Sequence, residues 1–148
     1  RDLHRLIRRQ RQMCIRDRHF IYDKYSSVIN GLERKGYLAG TPLSEGSRII
    51  AASKNIDMYR LSFSIYVEDY GYHIESDGLL PYSGDYDSMR ILRYLKELLE
   101  GSKLLRADVS EENFIVITSG VYELEDLWGA VEELEQYYPL VVEAVWRT

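Results

Sequence analysis

The chain reads as an α+β protein: a two-layer sandwich in which helices pack on a mixed sheet of order ββαβαβ, preceded by a short helical segment. Two observations predict this. The hydrophobic period is helical up to about residue 57 and becomes two from Tyr59 onward, the mark of strands with one buried face. Beyond the first hairpin, strand-like and helix-like runs alternate, which suits helices laid on a sheet.

Phe20 to Lys35 carries Tyr25, Val28, Ile29 and Leu32 at helical spacing, with Gly36 as a stop signal. Pro42 to Ser53 reads as a second, shorter helix ending in Ile49-Ile50-Ala51-Ala52, and Asn55-Ile56-Asp57 separates this part from the rest. Leu61, Phe63, Ile65 and Val67 then alternate with polar neighbours. Glu68-Asp69-Tyr70-Gly71 is a turn, and Tyr72 to Ser76 returns as the second strand. After the Asp77–Gly84 loop, Asp87 or Ser88 caps a helix whose inner face is Ile91, Leu92, Leu95, Leu98 and Leu99, closed by Gly101. A polar loop leads to Phe114–Thr118, a continuous apolar run of central-strand type. Glu123 to Tyr138 is the clearest helix, with Leu124, Leu127, Trp128, Val131 and Leu134 inward. Pro139 ends it, and Leu140 to Arg147 is the last strand. Strands joined through helices are expected to run parallel.

Three parts follow: residues 1–18, a helical segment over 19–57, and an α+β domain over 58–148. Residues 1–18 are expected not to be native protein. Arg8-Arg9-Gln10-Arg11-Gln12-Met13-Cys14-Ile15-Arg16-Asp17, read back through the genetic code, matches in one frame the transposase adapter of short-read sequencing libraries. Arg1-Asp2-Leu3-His4 matches the flow-cell arm in the same frame, and Arg5-Leu6-Ile7 fills the sample-index slot between them. No apolar run of the kind a signal peptide needs is present in this stretch.

Setting the stretch aside changes the electrostatics. It holds seven of the 19 basic residues and two of the 24 acidic ones, leaving twelve against twenty-two. The formal charge of the remainder is thus about 10 negative rather than the 5 of the whole chain. Such a body repels phosphate backbones, so nucleic acid is not an expected partner. Cys14 is the only cysteine, which leaves residues 19–148 without disulfides, thiolate metal ligands or a Cys nucleophile. No apolar run approaches the roughly 18 residues of a membrane span, and no membrane partner is expected. Walker A, GxSxG and HExxH patterns are absent. No cofactor, metal site or catalytic residue is expected.

Candidate binding residues remain. The loops after the second and third strands would share one rim if those strands ran parallel and adjacent. Tyr82, Ser83, Gly84, Ser119 and Gly120 would then line a ligand site there. Tyr66, Tyr70, Tyr72 and Tyr86 gather around the hairpin and its following loop, and tyrosine favours interfaces. Glu68, Asp69, His73, Glu75 and Asp77 form an acidic hairpin. His73 and Glu75 share a side, which a solvated strand face accounts for. The Glu123–Tyr138 helix carries an acidic stripe, also of solvated-face type.

Ser26-Ser27-Val28-Ile29-Asn30-Gly31-Leu32-Glu33-Arg34-Lys35-Gly36-Tyr37-Leu38 resembles the end of a recognition helix and the start of the wing in winged-helix regulators. Thr41-Pro42-Leu43-Ser44-Glu45-Gly46 would open the helix after the wing. The preferred reading is an acidic binding module for a protein or a small ligand. The alternative, implied by that resemblance, is an N-terminally truncated regulator with residues 59–148 as its sensing domain. One expectation is directly testable. A chain starting at His19 should match the stability of the whole chain within about 0.5 kcal/mol in urea unfolding, and a loss of several kcal/mol would show residues 1–18 to be part of the fold.

Overall fold

The computed structural model describes residues 24–41, 48–120 and 123–147. The adapter-matching stretch, the start of the first helix at Phe20 and residues 42–47 lie outside them. The order is α1 (residues 24–34), β1 (Leu38–Gly40), β2 (Ile49–Ile56), β3 (Tyr59–Glu68), β4 (Gly71–Ser76), β5 (Leu80–Pro81), α2 (Tyr86–Leu98), a 3-10 turn (Leu99–Gly101), β6 (Leu105–Val109), β7 (Phe114–Ser119) and α3 (Leu124–Trp146). The α+β class holds, with helices packed on a sheet. Among the described residues that sheet has seven strands, and no helix is long and apolar enough to cross a membrane.

Strands β1 to β4 form a meander. Two-residue loops close its second and third hairpins, pairing Ile56 with Tyr59 and Glu68 with Gly71. In the first of these turns Asp57 takes the left-handed conformation (φ 54°), which Asp tolerates. Strand β7 is then slotted between the meander and β6. Thr118 faces Glu75 on one edge and Arg106 on the other, and Ile115 likewise faces Leu80 and Val109.

Burial in β3 alternates with period two. Leu61, Phe63, Ile65 and Val67 are buried, and the intervening residues are half-buried. Against this inner face pack Val28 and Leu32 of α1, Ile91 and Leu95 of α2, and Leu127, Val131, Leu134 and Val141 of α3. All three helices therefore cover one side of the sheet. Asp85, not Asp87 or Ser88, caps α2: its carboxylate accepts from the Ser88 N–H at 2.8 Å.

Five expectations are corrected. The sheet is not mixed, because every pairing is antiparallel. The strands flanking α2 do run the same way, but β7 lies between them. Residues 49–56 are strand rather than the end of a helix, so the sheet extends into the segment read as helical. Asn55-Ile56-Asp57, read as a separator, leads into a hairpin turn whose register pins eight residues of β2 onto β3. Within the polar loop lies β6, where Leu105 and Ala107 are buried and Arg106 and Asp108 exposed. Finally, Leu140–Arg147 is helix: α3 runs through Pro139 to Trp146. Pro139 forfeits one backbone bond and strains the preceding turn. Burial of Val141 and Val142, the bond from Tyr138 Oη to the Arg60 carbonyl (3.0 Å) and the edge contact of Trp146 with Tyr59 (5.4 Å) outweigh that cost.

Gly31 lies in mid-helix because the Trp128 ring occupies the space a side chain would need. Gly31→Ala should therefore destabilise the protein by about 1–3 kcal/mol through overpacking, although Ala is the better helix former by about 1 kcal/mol. Urea unfolding checks this, and Gly31→Ala combined with Trp128→Leu should recover part of the loss.

Candidate functional site: the open face of the sheet

Because the helices take one side, the alternate residues of β3, β4 and β7 face outward with no described element over them. Register aligns Tyr66 with His73 in one row, and Ser64, Glu75, Thr118 and Arg106 in the next. Of these, Tyr66, His73, Ser64, Glu75 and Thr118, together with Asp77, Gly78 and the β6–β7 turn, border a depression of about 520 Å3. Val116 is buried at its base and Phe114 stands at its side. The turn is shaped by Asn113, at φ 64°, and by the Ser110 N–H donating to the Phe114 carbonyl at 2.8 Å. Glu111 and Glu112 are thereby placed on the rim.

The rings of Tyr66 and His73 stack at 4.6 Å and 3°. Tyr66 Oη donates to Glu75 Oε2 at 3.0 Å, diagonally across the two rows. Burial first, then the bond to Glu75 and the charges of Glu75, Glu112 and Glu111, push the Tyr66 hydroxyl up to about 12. His73 Nδ1 is buried without a hydrogen-bond partner among the described residues. Glu68 Oε1 is 3.5 Å away, within reach of a charge but not a hydrogen bond. Four carboxylates (Glu75, Asp77, Glu111 and Glu112) line the depression, and among the described residues no Lys or Arg does. Arg106, in the row beyond Thr118, is held near Asp108 at 3.9 Å. Among the described residues no three His, Cys, Asp or Glu are grouped to hold a metal.

The five residues expected at a shared rim are not brought together. Since β5 and β4 run antiparallel to β7, the chain after β5 leaves at the Phe114 end and Ser119 lies at the other, roughly 17 Å along a six-residue strand. Tyr82 donates its N–H to Asn113 (2.8 Å). Ser83 and Gly84 are exposed, with Gly84 at φ 79° leading into the Asp85 cap. Ser119 is buried, its hydroxyl accepting from the Ile74 N–H (2.9 Å) and donating to the Gly120 carbonyl (3.0 Å).

Ser119 thus belongs to a seam. Only one residue pair, Glu75 with Thr118, is in ladder register between β4 and β7. Side-chain hydroxyls supply further bonds. Ser76 Oγ accepts from the Ile117 N–H (2.8 Å), and Thr118 Oγ1 donates to the Ile74 carbonyl (2.9 Å).

The tyrosines also separate. Tyr66 is on the open face. Tyr72 pairs with Val67 across the hairpin, so it points into the core, under Lys24 Nζ at 5.7 Å. Tyr70 is at the turn tip and Tyr86 at the start of α2, 81% and 78% exposed. The acidic stripe of α3 is partly engaged internally. Glu133 receives Ser102 Oγ, Glu135 receives Tyr37 Oη, and Glu132 pairs with Lys35 at 3.7 Å. Sequence reasoning placed Phe114 and Thr118 only as the ends of a strand and did not single out Glu111 or Glu112. Their only signal was a Ser-Glu-Glu-Asn turn between two short apolar runs.

Residues 26–38 form most of α1 and the start of β1, and β2 returns antiparallel to β1 as a wing would. However, β2 continues as an interior strand of the sheet. Three of the nearby cations are committed: Lys24 to the carbonyls of Glu68 and Asp69, Arg48 to Asp69 (2.7 Å), Lys54 to the Lys35 carbonyl and Glu135.

Removing a seam hydroxyl strands a buried N–H. Ser76→Ala and Ser119→Ala should each cost about 1–3 kcal/mol. Amide exchange should quicken at Ile117 in the first variant and at Ile74 in the second. Unchanged stability and exchange would show that the seam is not held this way.

No protein family, no curated protein and no solved structure matches this chain.

Proposed function

We propose that the chain is a binding module whose open sheet face receives a cationic segment of a protein partner. The observation that carries this is the depression itself: Val116 at its base, Phe114 and the stacked Tyr66–His73 pair in its lining, four carboxylates around it, and no Lys or Arg among the described residues that line it. Carboxylates gathered around one depression set up a negative field, which an incoming guanidinium or ammonium answers. A guanidinium also stacks on aromatic rings such as the Tyr66–His73 pair and bonds carboxylates in bidentate fashion. A phosphate backbone would meet like charge here, which disfavours nucleic acid at this face.

An arginine-rich peptide titrated by calorimetry tests the reading. It should bind at low salt and weaken as salt rises, because exposed charge pairs are screened. Glu111→Gln combined with Glu112→Gln should reduce affinity at least fivefold, and Tyr66→Ala should reduce it further. Peptide affinity that ignores all three substitutions would move the site elsewhere. No binding at any salt would remove the proposal altogether.

A further inference from the structure

The helical side of the molecule carries the complement of the acidic hollow. On α2, Ile91 and Leu95 face the core. Tyr86, Met89, Arg93 and Lys96 recur at the spacing that places them on the opposite pole of the helix. Tyr86 is 78% and Met89 54% exposed. A shallow groove of about 420 Å3 along this stripe includes Arg90, Arg93 and Lys96 and no acidic residue. In a chain whose formal charge is negative, a basic, aromatic helix pole is a local reversal of sign. Asp87 and Glu97 flank it, 3.9 Å from Arg90 and 3.8 Å from Arg93. Such exposed pairs contribute little and open readily.

Helix α2 lies on the covered side of the sheet and the hollow on the open side, so the two cannot meet within one molecule. We propose that the cationic segment received by the hollow is α2 of a second copy of this chain. Tyr86 and Met89 of one copy lie over the Val116 and Phe114 base, and Arg93 and Lys96 reach Glu111, Glu112 and Glu75. Laying a helix on a bare sheet face is the ordinary way such a face is buried. A helix of 13 residues is about 20 Å long, enough to cross β3, β4 and β7 at about 5 Å per strand. The contact joins two different surfaces, so it does not close on itself and assembly proceeds head to tail.

This inference rests on the cation-receiving reading of the hollow, and one set of experiments separates the two. Sedimentation of the full chain at low salt should give a mass that climbs with concentration above the 17.4 kDa of the monomer. Two variants, Glu111→Lys with Glu112→Lys in the hollow and Arg93→Ser with Lys96→Ser on α2, should each leave a monomer, and the neutralised α2 has no charge with which to answer the reversed hollow. Mixed in equal amounts, they retain one intact hollow and one intact α2 between them. The mixture should form a dimer of twice that mass that does not lengthen with concentration. A native chain that stays monomeric, assembly that persists in either variant alone, or a mixture that stays monomeric would each overturn the proposal. If the monomeric chain still binds the arginine-rich peptide in a manner sensitive to Glu111 and Glu112, self-association alone falls. If it does not, the cation-receiving reading falls as well.

Discussion

Strand β7 is bonded on both edges, to β4 and β5 on one side and to β6 on the other, and most of the molecule depends on that insertion. Its inner residues Ile115 and Ile117 are fully buried beneath the helices. Its outer residues Val116 and Thr118 continue the rows that begin on β3 and β4. Because β7 arrives from a hairpin with β6, the turn bearing Glu111 and Glu112 is delivered beside Tyr66 and Glu75. An apolar strand here is both the middle of the core and the base of the hollow. The β4 edge meets it with a single pair in ladder register, so the hydroxyls of Ser76, Thr118 and Ser119 satisfy groups that would otherwise be stranded in the interior.

The two sides of the sheet treat charge differently. On the helical side, acidic groups have internal partners. Glu135 holds the buried Tyr37 hydroxyl, which that bond and burial raise well above its ordinary pKa, and Glu133 anchors the turn after α2. Lys35 and Lys54 reach across from the sheet-edge region to α3. On the open side, Glu111, Glu112 and Asp77 gather around aromatic surface without a basic neighbour in the lining. Groups that are already paired stabilise the fold, whereas groups of one sign left together create a field that a partner can answer.

How far the fold could be read depended on whether local pattern and tertiary environment agreed. Leu61 to Val67 alternates cleanly because one face is core and the other half-open, and both the strand and its buried face were legible there. Ile49-Ile50-Ala51-Ala52 has the composition of a helix end or a strand, and only eight residues of pairing with β3 decide for strand. Leu105–Val109 alternates over too few residues to stand out from the loop around it. At Pro139 the local rule pointed the wrong way. Proline and the β-branched residues after it favour a break and a strand, but Val141 and Val142 fall on the face already buried by Leu127, Val131 and Leu134. Packing energy along that face exceeds the loss of one helical bond.

By itself, the sequence determined the class of the fold, the hairpin from Tyr59 to Ser76, the helix around Leu95, the helical face of Leu127 to Leu134, and a net negative charge. Each follows from period, punctuation or charge, which neighbours along the chain suffice to set. Only the tertiary structure decided that β7 enters antiparallel between β4 and β6. That choice rests on edge hydrogen bonds between residues some forty positions apart, and it separates Ser119 from Tyr82. It also gathers Glu75, Asp77, Glu111 and Glu112 around one hollow, while the β3–β4 register, with Tyr72 opposite Val67, parts Tyr66 from Tyr72. A site made across strands is a property of register, and register is set by pairing partners that no local stretch of sequence contains.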